Sequence, residues 1–204
     1  PANMIVIRLA NVNLAIVNPM MPGLGLGGKA TGSLDFTQSS PGAFPQADAR
    51  LQIENFTRTS LASVSQPVDL NLVGRLQTDG GNARAIFRRR GAAIGRMQVN
   101  LTPLPPGAGA WTTRLLAAPL SGGLRYNGPA STLFSLAALP DQDLQGAIGL
   151  AADFSGRVQT PVLTGLVRAN NLVYENNVYG TRLTKMKIRG EFTNDRLEVT
   201  ELTA

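Results

Sequence analysis

The chain contains no histidine and no cysteine. Their absence removes the commonest general base, the thiol nucleophile and the usual zinc ligands together. Catalysis would have to rest on carboxylates, lysine, tyrosine or a borrowed cofactor. No constellation of those residues builds an active site, so the chain reads as a non-enzyme without cofactor or metal. Aromatic residues are scarce, at 5%. The net charge of +6 and sequence pI of about 10.5 suit an anionic surface, but without stacking aromatics or a recognition-helix signature nucleic acid is not an expected partner. No apolar run approaches the roughly 20 residues that a membrane-spanning helix needs, and no charged leader with an apolar core opens the sequence. The lack of cysteine does not by itself fix a compartment.

The 204 residues are 43% hydrophobic and 16% charged, apolar enough to fold and too mixed for disorder. One module over 1–204 is expected. Because it starts at Pro1 and stops at Ala204 without an obvious signal, it reads as a section of a longer protein.

What the chain has in quantity is alternation. From Leu183 to Phe192, the residues Thr184, Met186, Ile188, Gly190 and Phe192 alternate with Lys185, Lys187, Arg189 and Glu191. Successive strand side chains point to opposite faces, so this segment has one apolar and one charged face, whereas a helical period would scatter its charge. The pattern recurs up the chain. Ile5, Ile7 and Leu9 open one run, Leu14 and Ile16 continue on a neighbouring stretch, and Leu34 with Phe36 and Leu51 with Ile53 follow. Val68, Leu70, Leu72 and Leu76 alternate with Asp69, Asn71, Arg75 and Gln77, and Met97, Val99 and Leu101 alternate with Arg96, Gln98 and Asn100. Leu120, Gly122, Leu124 and Tyr126 share one parity; Leu144, Ile148, Leu150 and Phe154 share another face. Gly, Pro, Asn or Asp bounds each run, as turns require. The array is all-β.

One short helix is expected over Ser131 to Leu139, which opens on Ser/Thr and stops at Pro140. Pro19 to Gly28 and Pro103 to Gly109 read as loops. Interior glycines at Gly146, Gly156, Gly165 and Gly190 mark bends or close backbone approach, which favours a curved sheet. Gly23, Gly25 and Gly28 match a GxGxxG pattern with Lys29 behind it, yet Ala30 replaces the hydroxyl residue of a Walker loop and Thr31-Gly32-Ser33 is a poor helix start. That segment reads as a strand connection. Arg84, Arg88, Arg89, Arg90 and Arg96 form a basic cluster whose ordinary role is a solvated face or edge protection. Asp141 and Asp143 read as turn chemistry rather than a calcium site.

A more specific order of residues runs through the C-terminal part. Leu120-Ser121-Gly122-Gly123-Leu124-Arg125-Tyr126-Asn127-Gly128 precedes the helix, and Leu144-Gln145-Gly146-Ala147-Ile148-Gly149-Leu150 follows it. Then come Phe154-Ser155-Gly156, Pro161-Val162-Leu163-Thr164-Gly165-Leu166, Tyr174, Gly180-Thr181-Arg182-Leu183 and Arg196-Leu197-Glu198-Val199. From about Pro119 to Ala204 this series resembles the conserved domain of the TamB family, the inner-membrane-anchored subunit of the bacterial translocation and assembly module. The resemblance implies an elongated, curled β-sheet, an open apolar trough that crosses the periplasm. It also implies phospholipid acyl chains as occupants and a TamA-like outer-membrane barrel as partner of the full-length protein. The family's N-terminal membrane anchor is expected in the longer protein of which this sequence reads as a section.

Taken with the alternation, the expected trough lining is Leu70, Leu72, Leu76, Met97, Val99, Leu101, Leu124, Tyr126, Leu144, Ile148, Leu150, Phe154, Met186, Ile188 and Phe192. The expected function is shielding of lipid tails during transport between the two membranes. The alternative is an assembly factor for outer-membrane barrel strands that works by β-augmentation.

Overall fold

The computed structural model describes residues 3–19, 23, 25–59, 64–105, 109–136, 143–176, 178–194 and 196–204. Among these residues, twelve antiparallel strands form one sheet that does not close on itself. They are β1 (Asn3–Asn13), β2 (Leu26–Gln38), β3 (Gln46–Arg58), β4 (Val68–Leu76), β5 (Gly81–Arg89), β6 (Ala92–Leu101), β7 (Leu120–Pro129), β8 (Asp143–Gln145), β9 (Ala147–Arg157), β10 (Thr160–Asn176), β11 (Thr181–Thr193) and β12 (Arg196–Thr203). Neighbours in the sheet follow chain order from β1 to β12, except that the short β8 lies off this path and pairs with β10. Two helices interrupt the strands, α1 (Trp111–Leu116) after β6 and α2 (Ala130–Leu136) after β7.

The register makes the two faces chemically distinct, because directly paired residues project to the same side. One row runs from edge to edge through Leu9, Gly32, Leu51, Leu72, Ala85, Met97, Leu124, Ala152, Gly165, Phe192 and Leu197. The adjacent row on that side is Val12, Ala30, Ile53, Leu70, Phe87, Gly95, Tyr126, Leu150, Val167, Gly190 and Val199. Apart from the Tyr126 phenol, neither row contains a polar side-chain group. On the opposite face, the row that flanks the first one reads Arg8, Ser33, Arg50, Val73, Arg84, Gln98, Gly123, Asp153, Thr164, Thr193 and Arg196. There Arg8 pairs with Asp35 at 2.6 Å, Arg75 with Asp48 at 2.8 Å and Arg125 with Asp153 at 2.8 Å. Being exposed, such pairs contribute roughly 0–1 kcal/mol each, enough to favour one register without holding the sheet together.

The sheet curls with its apolar face inward. Val68 of β4 and Met186 of β11 belong to one buried cluster, although six strand steps would separate them by roughly 29 Å if the sheet were flat. Helix α2 makes the join possible by touching β3, β7 and β8 together. At the opposite ends of the strands, Phe44 from the β2–β3 connection meets Trp111 of α1 edge to face, with ring centroids 6.5 Å apart. The Arg114 guanidinium lies 5.0 Å from the centre of the Phe44 ring while its Nε donates to the Leu104 carbonyl.

Bulges supply the bend near α2. Register shifts fall between Leu9 and Val12 of β1, Ile53 and Phe56 of β3, and Ala169 and Leu172 of β10. At each shift an asparagine takes the left-handed conformation, with φ of 53° at Asn11, 51° at Asn55 and 61° at Asn171. Asparagine tolerates that region better than other side-chain-bearing residues. The displaced amides are satisfied locally: Asn11 N–H donates to Thr31 Oγ1 and Asn55 N–H to Asp69 Oδ1.

Several expectations are corrected. Leu14 and Ile16 lie in a 3₁₀ turn over Leu14–Val17, where the Asn13 side chain accepts from the Ala15 amide. That local hydrogen bond competes successfully with strand pairing. Among the described residues there are two helices rather than one, and the anticipated one starts at Ala130; residues 137–140, on which its expected end falls, lie outside the described ones, as does Asp141. The segment Pro19 to Gly28 is not loop throughout, since β2 begins at Leu26 and Lys29 sits on it opposite Glu54. The alternation through β11 breaks at Lys185, which has φ of 58°. Leu183 rather than Thr184 is therefore the next residue paired with β10 beyond Met186.

Candidate functional site

The candidate lining residues fall on the inward face, but in two distinct environments. Met97 and Leu124 are direct partners, as are Leu70 with Phe87, Leu72 with Ala85, Val99 with Gly122, and Leu101 with Leu120. Leu76 faces Gly81, Phe154 faces Gly122 and Leu163, Leu150 faces Tyr126 and Val167, Ile188 faces Ala169, and Phe192 faces Gly165. All of these candidates are half-buried. Leu150 and Ile188 pack against the buried cluster at one end, while the other candidates touch their cross-strand neighbours and still meet solvent.

Tyr126, Leu144, Ile148 and Met186 differ. They are buried in the cluster with Val68, Ile94, Ala130, Ala169 and Leu172, against which Leu133, Phe134 and Leu136 of α2 pack. These four belong to a fixed core at one end of the trough rather than to its free surface. Leu144 reaches this cluster by way of β8, where it pairs with Tyr174.

Hydrogen bonds hold the plug in place. Thr132, fully buried, accepts at its hydroxyl from Arg89 Nη1 at 2.6 Å and donates to Gln66 Oε1 at 2.7 Å. Ser135 Oγ accepts from the Gln66 amide, and the Leu136 carbonyl accepts from Arg58. Arg89, counted with the basic cluster in the sequence, is thus a structural donor on the inner side. Tyr126 donates its phenol proton to the Pro129 carbonyl at 2.7 Å, and burial pushes its pKa up to about 12 despite the opposing influence of Arg89, Thr132 and Leu133.

Glycine provides room for the large side chains of the concave face. A Cβ at Gly95 would lie 3.3 Å from the Phe87 ring and 3.4 Å from the Tyr126 ring, its cross-strand partners on either side. Both edges remain open: on β1, Ile5 is 52% and Ile7 39% exposed, and on β12, Leu197, Val199 and Leu202 are similarly uncovered.

The chemistry available here is burial of hydrocarbon. Among the described residues no cluster of three or more potential metal-binding side chains forms, and no helix is long and apolar enough to cross a membrane. Gly28 lies inside β2, and the segment after Lys29 continues as strand rather than helix, so the phosphate-loop geometry is not present. No protein-family model, curated protein or solved structure matches this chain.

Proposed function

We propose that this chain is a section of a lipid-shielding trough, whose concave apolar face covers phospholipid acyl chains in transit between two membranes. One observation carries the reading: rows of Leu, Ile, Val, Met and Phe, spaced by Gly and Ala, run from edge to edge across a sheet that curls but does not close. Half-buried aliphatic surface of this extent is costly when wet, at roughly 25 cal/mol per Å². An acyl chain offsets that cost by about 0.8 kcal/mol for each methylene covered, and it forms no directional bond that would stop it sliding. The aliphatic lining suits such a ligand, because flexible tails need no stacking geometry. The likeness of the C-terminal residues to the TamB family supports a periplasmic setting, an inner-membrane-anchored parent protein and a TamA-like barrel partner.

The test is lipid retention. Protein purified from a Gram-negative host is extracted and its bound phospholipid counted, for the native chain and for Met97→Arg. The proposal requires acyl lipid on the former and loss of most of it on the latter, with the same circular dichroism. A native chain free of lipid would overturn it.

A second reading has its own support, namely the exposed apolar edge strand β1, where Met4, Ile5, Val6 and Ile7 present uncapped backbone. Such an edge can accept an extended partner strand by augmentation, the action of an assembly factor. Crosslinking from Val6 to unfolded barrel strands, without lipid on Met97, would favour it.

A further inference from the structure

A groove of about 870 Å³ lies along β9, and the exposed side chains that line it, Arg96, Arg125, Asn127, Leu166, Arg168 and Asn170, belong to the outer side of the sheet. Its floor is small, made by Ala147, Gly149 and Ala151, and its walls rise from β6 and β7 on one side and β10 on the other. Arg96, Arg125 and Arg168 line it, and no carboxylate does.

The arrangement of these arginines breaks an ordinary rule of sheet pairing. Arg96 stands directly opposite Arg125, and Arg168 directly opposite Arg189, although like charges in register destabilise a sheet. Neighbouring carboxylates compensate one member of each pair. Arg125 binds Asp153 at 2.8 Å, and Arg189 binds Glu201 at 3.3 Å. Among the described residues Arg96 and Arg168 form no ion pair. Arg168 lies over the floor, since a Cβ at Gly149 would come 3.6 Å from its Cγ and 3.7 Å from its Nε. Asn127 and Asn170 bring amide groups to the same groove, while Leu166, 57% exposed, adds an apolar wall whose outer neighbour is Glu191.

We propose that this groove binds a phosphate-bearing ligand, with Arg96 and Arg168 gripping the phosphate oxygens from opposite walls above Gly149 and the less polar remainder lying along Ala151 and Leu166. Guanidinium donors match phosphate oxygens better than any other side chain, and an anion seated between Arg96 and Arg168 neutralises the one member of each facing pair that no carboxylate compensates. The volume is that of a small-molecule site and exceeds what inorganic phosphate fills. A phosphomonoester or phosphodiester with an organic part fits the chemistry. This site is on the face opposite the trough and does not depend on what the trough carries.

The test is calorimetric titration of the purified chain with inorganic phosphate, glycerol 3-phosphate, and short-chain phosphatidylglycerol below its micelle concentration. Glycerol 3-phosphate is expected to bind, and Arg96→Ala or Arg168→Ala to weaken it roughly tenfold, in keeping with the loss of a charge-assisted hydrogen bond. Gly149→Leu, which fills the floor, should abolish binding. Arg84→Ala, on the same face outside the groove, and Met97→Arg, on the opposite face, should each leave it unchanged. In the Met97→Arg background, where the trough no longer takes acyl chains, tighter binding of the short-chain lipid than of glycerol 3-phosphate supports a headgroup source, and equal binding supports a free phosphate metabolite. Absence of binding by all three ligands overturns the proposal, as does equal weakening by Arg84→Ala, which would reduce the effect to diffuse charge.

Discussion

Phe192 lies directly across from Gly165, and a Cβ built on that glycine would sit 2.7 Å from the ring Cζ and closer still to the Ala151 carbonyl oxygen. The aromatic ring occupies the space that the missing side chain leaves on the concave face, and the neighbouring backbone occupies the rest. Gly165→Ala is therefore expected to destabilise the fold by about 1–3 kcal/mol through overpacking. Urea denaturation monitored by circular dichroism measures it; an unchanged midpoint would mean that β9 and β10 are less closely apposed than described.

Thr132 is the polar keystone of the α2 plug. Thr132→Val keeps the shape but leaves Arg89 and Gln66 without their shared hydroxyl. The expected cost is about 1–3 kcal/mol, the penalty of unsatisfied buried groups. Amide exchange should quicken first over residues 130–136, because helix α2 is then held chiefly by its apolar contacts.

The left-handed asparagines are a separate test of the bend. Asn55→Val places a β-branched residue at φ of 51° and is expected to destabilise by roughly 1–2 kcal/mol, whereas Asn55→Gly should be close to neutral. Thermal melts of the two variants compare them directly.

Tyr126 makes stability depend on alkaline pH. Its phenol is raised in the folded protein to about 12, above the value of about 10 expected in the unfolded chain. A raised folded value means that the folded state holds the proton more tightly. The contribution is thus complete below about pH 10 and is lost as pH rises from there toward 12. Denaturation midpoints should fall over that window in the native chain and less steeply in Tyr126→Phe.

Much of this architecture is written in period-two patterning. Met97, Val99 and Leu101 alternate with polar residues, and the structure puts them on one face because strand geometry leaves no alternative. The open, curled all-β sheet follows from the same pattern repeated and from interior glycines such as Gly165. Local hydrogen bonding and tertiary contact decide what the pattern does not express. Helix α1 is six residues long with no side-chain cap at Ala110; its contacts are tertiary, with Phe44 meeting Trp111 edge to face and lying beneath the Arg114 guanidinium. The shift at Lys185 depends on a backbone conformation that lysine rarely adopts. Ile148 and Met97 look equivalent in sequence, yet the first is sealed beneath α2 and the second is open to solvent. The facing of Arg96 with Arg125 and of Arg168 with Arg189 is a property of register, which no single strand encodes.

The central claim is that hydrocarbon occupies the concave face. It is tested most directly by placing a photoreactive residue, in cells, at Leu72, Met97 or Leu124 on the inner row and at Asn71, Gln98 or Gly123 on the outer face, then identifying the adducts by mass spectrometry. Phospholipid acyl chains captured from the inner positions and not from the outer ones are the expected result. Adducts to protein alone, or lipid captured equally from both faces, would contradict the account.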